Sequence, residues 1–175
     1  ERHIVADFSE MKSLVWSTAD DVLRDSVPRN EYGDHILPFL VLRRFEGMID
    51  DKRDDILDYL EENQDKLDRM EENEREFRIK ARFSVPFYNF SSLSLRNIAE
   101  DDDSTLQAMQ RYLGSFSSRI RLIWDRFKFM DALKIEDEAG ILHEMIDKFS
   151  KLDLSPEKVG AEGMGDIFEH LMYLS

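Results

Sequence analysis

From Ile36 to Leu42 the chain is apolar at every position, with Glu31-Tyr-Gly-Asp-His35 before it and Arg43-Arg-Phe-Glu-Gly-Met48 after it. No narrow stripe can be drawn on such a run, and a helix that is apolar all round is buried all round. A membrane span needs ~20 such residues, so this run predicts the central helix of a soluble domain. Asn30 is a candidate N-cap. Pro38 removes one backbone donor and predicts a kink or a late start. Arg43 and Arg44 are expected where the helix emerges into water.

What surrounds that helix follows from hydrophobic spacing. Over 9–25, Leu14, Val15, Ala19, Val22 and Leu23 share one face of a first helix, capped by Ser9 or Asp7. Beyond Met48 most residues are charged or amide. Ile49, Ile56, Leu60, Leu67, Met70 and Phe77 nevertheless keep a near-heptad spacing, which predicts one long solvated helix over 50–80 with a thin apolar seam. Phe83-Ser-Val-Pro-Phe-Tyr-Asn-Phe90 breaks the pattern and reads as an extended segment against the body, at most one short strand. Helices follow over 93–99, 105–114, 119–129, 141–149 and 165–174, with a Pro156 turn before the last. The expected fold is all-α, a single multi-helix domain over 1–175.

The totals agree. The 42% apolar share and 12 Phe fit a globular chain with one core, and 7 Gly and 4 Pro are too few for a many-turned all-β protein. The absence of cysteine excludes disulfides, thiol catalysis and zinc–thiolate sites, and suits a cytoplasmic protein. No signal peptide is visible. The chain opens on Glu1 and stops at Leu174-Ser175 within an apolar pattern, so a piece of a longer protein is expected. Met164, Ile167, Phe168, Leu171 and Met172 form a helical stripe there and are candidates for an interdomain contact.

Charge is unevenly spread. Against a total of −14, residues 75–99 and residues 104–130 each sum to +4, which leaves −22 for the rest. Two basic islands in an acidic body are either one binding face or charges solvating two helices. In the second island, Arg111, Arg119, Arg121 and Arg126 interleave with aromatics, a combination that meets phosphates and bases. Ile120, Trp124 and Phe127 fit one helical face and belong to the core. The arginines then project outward as phosphate contacts.

Catalytic and metal patterns fail on context. His143-Glu144-Met-Ile-Asp147 lacks the second histidine of a zinc-protease helix. Gly160-Ala-Glu-Gly-Met-Gly165 follows no predicted strand and precedes no Lys-Ser/Thr, so it is not read as a phosphate loop. His35 is expected to be a hydrogen-bonded packing residue. No catalytic, cofactor-binding or metal residues are assigned.

Several stretches, in order, resemble the modification (M) subunits of type I restriction–modification systems, which are adenine-specific DNA methyltransferases. Ile36-Leu-Pro-Phe-Leu-Val-Leu-Arg-Arg-Phe45 is similar to their opening signature. Phe87-Tyr-Asn-Phe-Ser91 resembles Phe-Tyr-Asn-Thr-Ser. Tyr112-Leu-Gly-Ser-Phe-Ser117, followed by Arg121-Leu-Ile-Trp-Asp-Arg-Phe127, resembles Tyr-Ile-x-Gly-Phe-Ser and its helix, with Ser118 where many relatives carry Asn. Lys148-Phe-Ser-Lys-Leu-Asp-Leu154 and Met164-Gly-Asp-Ile-Phe-Glu169 resemble Lys-Phe-Ala-x-x-Asp-Leu and Met-Gly-x-Ile-Phe-Glu.

The resemblance implies a helical N-terminal domain that precedes a catalytic domain. The parent subunit would transfer a methyl group from S-adenosylmethionine to the exocyclic amine of adenine in double-stranded DNA. Its partners would be a specificity (S) subunit, a second M subunit and, in some assemblies, a restriction subunit. The Asn/Asp-Pro-Pro-Phe/Tyr motif of such enzymes does not occur in these 175 residues. Two readings stay open: a non-catalytic DNA-clamp and assembly domain, or a helical protein-docking domain that never touches DNA. Arginine exposure separates them.

Overall fold

The computed structural model describes residues 2–101 and 103–174, with side chains for 10–101, 103–167 and 169. In chain order the helices are α1 (Arg2–Leu23), α2 (Tyr32–Glu62), α3 (Gln64–Asp68), α4 (Glu72–Phe83) and α5 (Leu95–Ala99). They continue with α6 (Thr105–Gly114), α7 (Ser118–Phe127), α8 (Phe129–Glu138), α9 (Leu142–Ser150) and α10 (Ala161–Leu174). No strand occurs among the described residues, and the extended segment makes a single bridge, Asn89 to Phe116. The fold is all-α, as expected.

The apolar run sits in the middle. Ile36, Phe39, Leu40 and Leu42 are fully buried, and Phe39 meets Phe129 edge-on and Phe149 at a tilt. α2 is contacted by α1, α7, α8, α9 and α10. Its start differs from expectation. A 3₁₀ turn over Arg29–Glu31 precedes it, Glu31 rather than Asn30 occupies the N-cap, and Pro38 is carried inside the helix. Nor does the helix stop near Met48. Residues 48–62 contain no Gly or Pro, and Ile49 and Ile56 continue the buried face at i, i+7, so one helix of 31 residues results.

The single long helix expected over 50–80 is therefore three pieces: the end of α2, then α3, then α4. Asn63 ends the first by donating its side-chain amide to the Tyr59 carbonyl, 2.9 Å away, a local bond that competes with the helix ladder. The seam survives at Ile49, Ile56 and Leu67, and on α4 the buried position is Ile79, outside the expected seam. The seam fails at Phe77, which is 73% exposed. Leu14, expected on the core face of α1, is also exposed.

α8 was not anticipated. Its core face is Phe129, Ala132, Leu133 and Glu136, so a carboxylate stands where a fourth apolar residue would have revealed the stripe. Lys128, at φ 53°, separates α7 from α8 and cuts short the helix expected to run to 129.

Candidate nucleic-acid interface

α7 carries three of the four candidate arginines, and its position is fixed at its N-terminus and along its inner face. At its N-terminus, buried Glu76 of α4 accepts from the Ser118 amide (3.0 Å) and from the Ser118 hydroxyl (2.6 Å). A carboxylate there satisfies orphan donors and meets the positive end of the helix dipole. On its inner face Trp124 lies 5.5–5.9 Å, ring to ring, from Phe45, Phe116 and Phe129. Ile120 and Trp124 are buried and Phe127 half-buried, as the spacing predicted.

The outer face then follows from 100° per residue. Arg119 and Arg126, seven apart, align on one exposed line with Leu122, which is 60% exposed. Neither arginine forms an ion pair with a described residue, nor does exposed Arg111 at the end of α6. Arg121 differs: it lies toward the α4 side and donates to Glu72 at 2.8 Å. Of the four candidates, three have no ion-pair partner among the described residues and one is tied within the chain.

The loop ahead of α7 is held by the segment 87–91. Phe90 donates its amide to the Ser115 carbonyl, Ser117 donates its amide to the Tyr88 carbonyl, and the Ser117 hydroxyl accepts from the Tyr88 amide. The Asn89 side chain donates to the Tyr112 carbonyl. Arg53 of α2 reaches the Asn89 side chain and the carbonyls of Ser91 and Leu93. The Phe-Tyr-Asn and Gly-Ser-Phe-Ser stretches are thus the two sides of one bridge. Burial pushes the Tyr88 hydroxyl up to about 12, with Glu76 adding to the shift.

Arg43 and Arg44 do not mark a solvent exit. Arg43 donates to the Leu152 carbonyl (2.6 Å) and to Glu46 (2.9 Å). Arg44 donates to the carbonyls of Leu154 and Val159. Both are half-buried and clamp the strand-free loop after α9 onto α2. Gly47 allows the approach, since a Cβ there would lie 2.8 Å from the Ser155 Cα. The Leu-Arg-Arg and Lys-Phe-Ser-Lys-Leu-Asp-Leu stretches are in this way direct partners.

A family model for the HsdM N-terminal domain matches residues 11–149. The chain belongs to that family. It is the N-terminal domain of the M subunit of a type I restriction–modification system. No curated protein and no solved structure matches the chain.

The remaining candidates of this HsdM N-terminal domain have plain placements. Met164 and Ile167 are buried in the domain's own core, where α10 packs on α1 and α2, so they are not open to a partner. At these two positions the core of this chain covers α10. The side chains of Phe168, Leu171 and Met172 lie outside the described residues. The glycine run falls at the start of α10, Met164 is packed inward, and no strand leads into it among the described residues. The His143 ring meets the Ala99 carbonyl at 2.8 Å and Asp147 pairs with Lys151. No group of three or more potential metal ligands occurs among the described residues, and no helix among them is long and apolar enough to cross a membrane.

Two buried polar sites were not legible as sites. Glu46 accepts from the Tyr112 hydroxyl (2.6 Å), the Leu95 amide (2.8 Å) and Arg43, joining α2 to α5 and α6. Burial, with Glu46 alongside, drives the Tyr112 hydroxyl well above its ordinary value. His35 Nδ1 lies 2.6 Å from Glu136 Oε2, both side chains almost wholly buried, which bears out His35 as a hydrogen-bonded packing residue. The signal for Glu136 would have been its register, three residues after Leu133 on an otherwise apolar face.

Proposed function

We propose that this domain lays the Arg119–Arg126 face of α7, with Arg111 beside it in sequence on α6, against the phosphates of double-stranded DNA within a type I modification complex. It would help hold the duplex while the parent subunit methylates adenine with S-adenosylmethionine. The observation that carries the reading is the pair of exposed, unpaired arginines on one line of a helix buttressed at its N-terminus and along its inner face. Phosphate contact needs charge held in place and reads no sequence. In that complex the S subunit would supply sequence register, a second M subunit would close the clamp, and a restriction subunit would join in the cytoplasm. The acidic body, −22 outside the two islands, repels DNA elsewhere. The domain alone should therefore bind feebly, at roughly 10⁻⁴ M or weaker near physiological salt.

The docking-only reading draws support from two features. Arg121 is spent on Glu72, and exposed Leu122 stands between Arg119 and Arg126. Duplex titration over a salt series separates the two readings. With the assembled complex, Arg119→Ala and Arg126→Ala should each lower the salt slope by about 1 and weaken all sequences alike. Unchanged affinity and slope in the single and double variants would assign the domain to docking.

A further inference from the structure

A groove of about 480 Å³ lies on the α4 side of the domain, between the end of α2, α3, α4 and the segment 88–90. Its floor is apolar, formed by Leu60, Leu67, Tyr88 and Phe90. Phe90 is 51% exposed although its neighbours Phe87, Tyr88 and Asn89 are buried. Its backbone is pinned by the bond to Ser115, so the ring is presented to solvent from a fixed position. The rim is acidic, with Glu61, Asp68 and Glu72 exposed; Glu72 is already paired with Arg121 of α7, so Glu61 and Asp68 carry the uncompensated charge. The one cation in the lining, Arg75, directs its Nη1 at the carbonyls of Leu67 and Met70, 3.3 Å from each.

An apolar floor inside a carboxylate rim selects its occupant by charge. Nucleic acid is repelled by the rim and has no use for the floor. An acidic protein segment is repelled as well. What fits is a helical or extended polypeptide stretch that seats one or two large apolar side chains on Phe90 and Leu60, with Lys or Arg beside them to meet Glu61 and Asp68. We infer that this groove is a docking site for a cationic amphipathic segment of another polypeptide, on a surface separate from the outward line of α7. The site does not depend on the DNA reading and can hold or fail without it.

The test uses the whole 175-residue chain and a short fluorescein-labelled helical peptide of Leu and Lys, with its leucines on one face. A matched Leu and Glu peptide serves as the comparison, read by anisotropy. The Leu/Lys peptide should bind and the Leu/Glu peptide should not. Phe90→Ser should weaken binding by roughly tenfold or more, the effect of removing one large apolar contact. Glu61→Lys combined with Asp68→Lys should abolish it, while Phe77→Ser, at an exposed aromatic outside the groove, should leave it unchanged. All these side chains are at least half exposed or on the rim, and thermal unfolding checks that each variant remains folded. Equal binding of the two peptides would overturn the inference. So would Leu/Lys binding that ignores both Phe90→Ser and the charge reversal, since the peptide would then sit elsewhere on the acidic body. Phe90→Ser weakening duplex DNA instead of the peptide would make the groove part of a nucleic-acid surface, and the inference would fail.

Discussion

Two sets of charged residues, both built mainly on arginine, are put to opposite use in this domain. Around α2, Arg43, Arg44, Glu46 and Arg53 direct their charge at backbone carbonyls, a tyrosine hydroxyl, a helix-terminal amide and one another. On the outer line of α7, Arg119 and Arg126 have no acidic partner among the described residues. The first set fastens loops that lack strands to hold them, because buried carbonyls must find donors. The second set contributes little to the fold, since exposed charge is weakly coupled to stability. Burial, rather than residue type, separates a structural arginine from one free to meet a ligand.

The comparison breaks hardest at Glu46. Glu46→Ala leaves the Tyr112 hydroxyl, the Leu95 amide and Arg43 without their acceptor. We expect a loss of ~3–5 kcal/mol, the usual result of removing one partner from a buried charged group. Urea unfolding measures it, and a loss below 1 kcal/mol, in the range of surface substitutions, would mean that the α2 set is as dispensable as the α7 set. Next comes Gly47→Val. Its Cβ would meet the Ser155 backbone at 2.8 Å, and overpacking of this kind costs ~1–3 kcal/mol. The loss should appear together with increased proteolysis of the loop after α9.

How much of this was readable beforehand depends on the kind of interaction. The central helix, α6, α9 and the inner face of α7 announce themselves, because apolar burial is periodic and periodicity is written in the sequence. Arg43, Arg44, Glu46, Glu76 and Glu136 do not. Their partners lie 42 to 115 residues away, apart from the local Arg43–Glu46 pair. In a chain with 38 acidic residues no carboxylate stands out by type. Arg43 and Arg44 for that reason look in the sequence like residues at a solvent exit, and α8 shows no full apolar stripe because its fourth core position is Glu136. The stretches that carried the family resemblance fared better. Four of them prove to be two pairs of direct partners: the 87–91 segment with the loop before α7, and the Leu-Arg-Arg stretch of α2 with the loop after α9.

A smaller effect tests the buried pair. Burial pushes the Glu136 carboxyl above its ordinary value of 4.5, and the bond from His35 opposes part of the rise. A carboxyl raised in the folded state adds stability while protonated. That contribution is complete below the unfolded value and is lost as pH climbs through the folded one. Glu136→Gln is neutral throughout and lacks this loss. Its stability should therefore fall less than that of the natural chain from pH 4.5 upward. Parallel urea midpoints between pH 4 and pH 7 would show that burial of Glu136 carries no proton linkage.

The smallest expected effect sharpens the comparison most, because it concerns the one arginine that belongs partly to both sets. Arg121 lies on α7 but is held by Glu72 at 2.8 Å, with the two side chains 33% and 46% exposed. A pair so exposed adds little to stability, about 0–1 kcal/mol. Its consequence is for binding, since Arg121 must leave Glu72 before it can meet a phosphate. In the assembled complex Arg121→Ala should thus weaken DNA binding less than Arg119→Ala or Arg126→Ala. Glu72→Gln should do the reverse: it frees Arg121, removes a negative charge, tightens binding and steepens the salt dependence by up to about 1. The double variant Glu72→Gln with Arg121→Ala should lose that steepening, which separates release of the arginine from mere loss of a repelling carboxylate. If the double variant keeps the steeper slope, Arg121 is structural in the same sense as Arg43, and the boundary between the two sets moves onto α7 itself.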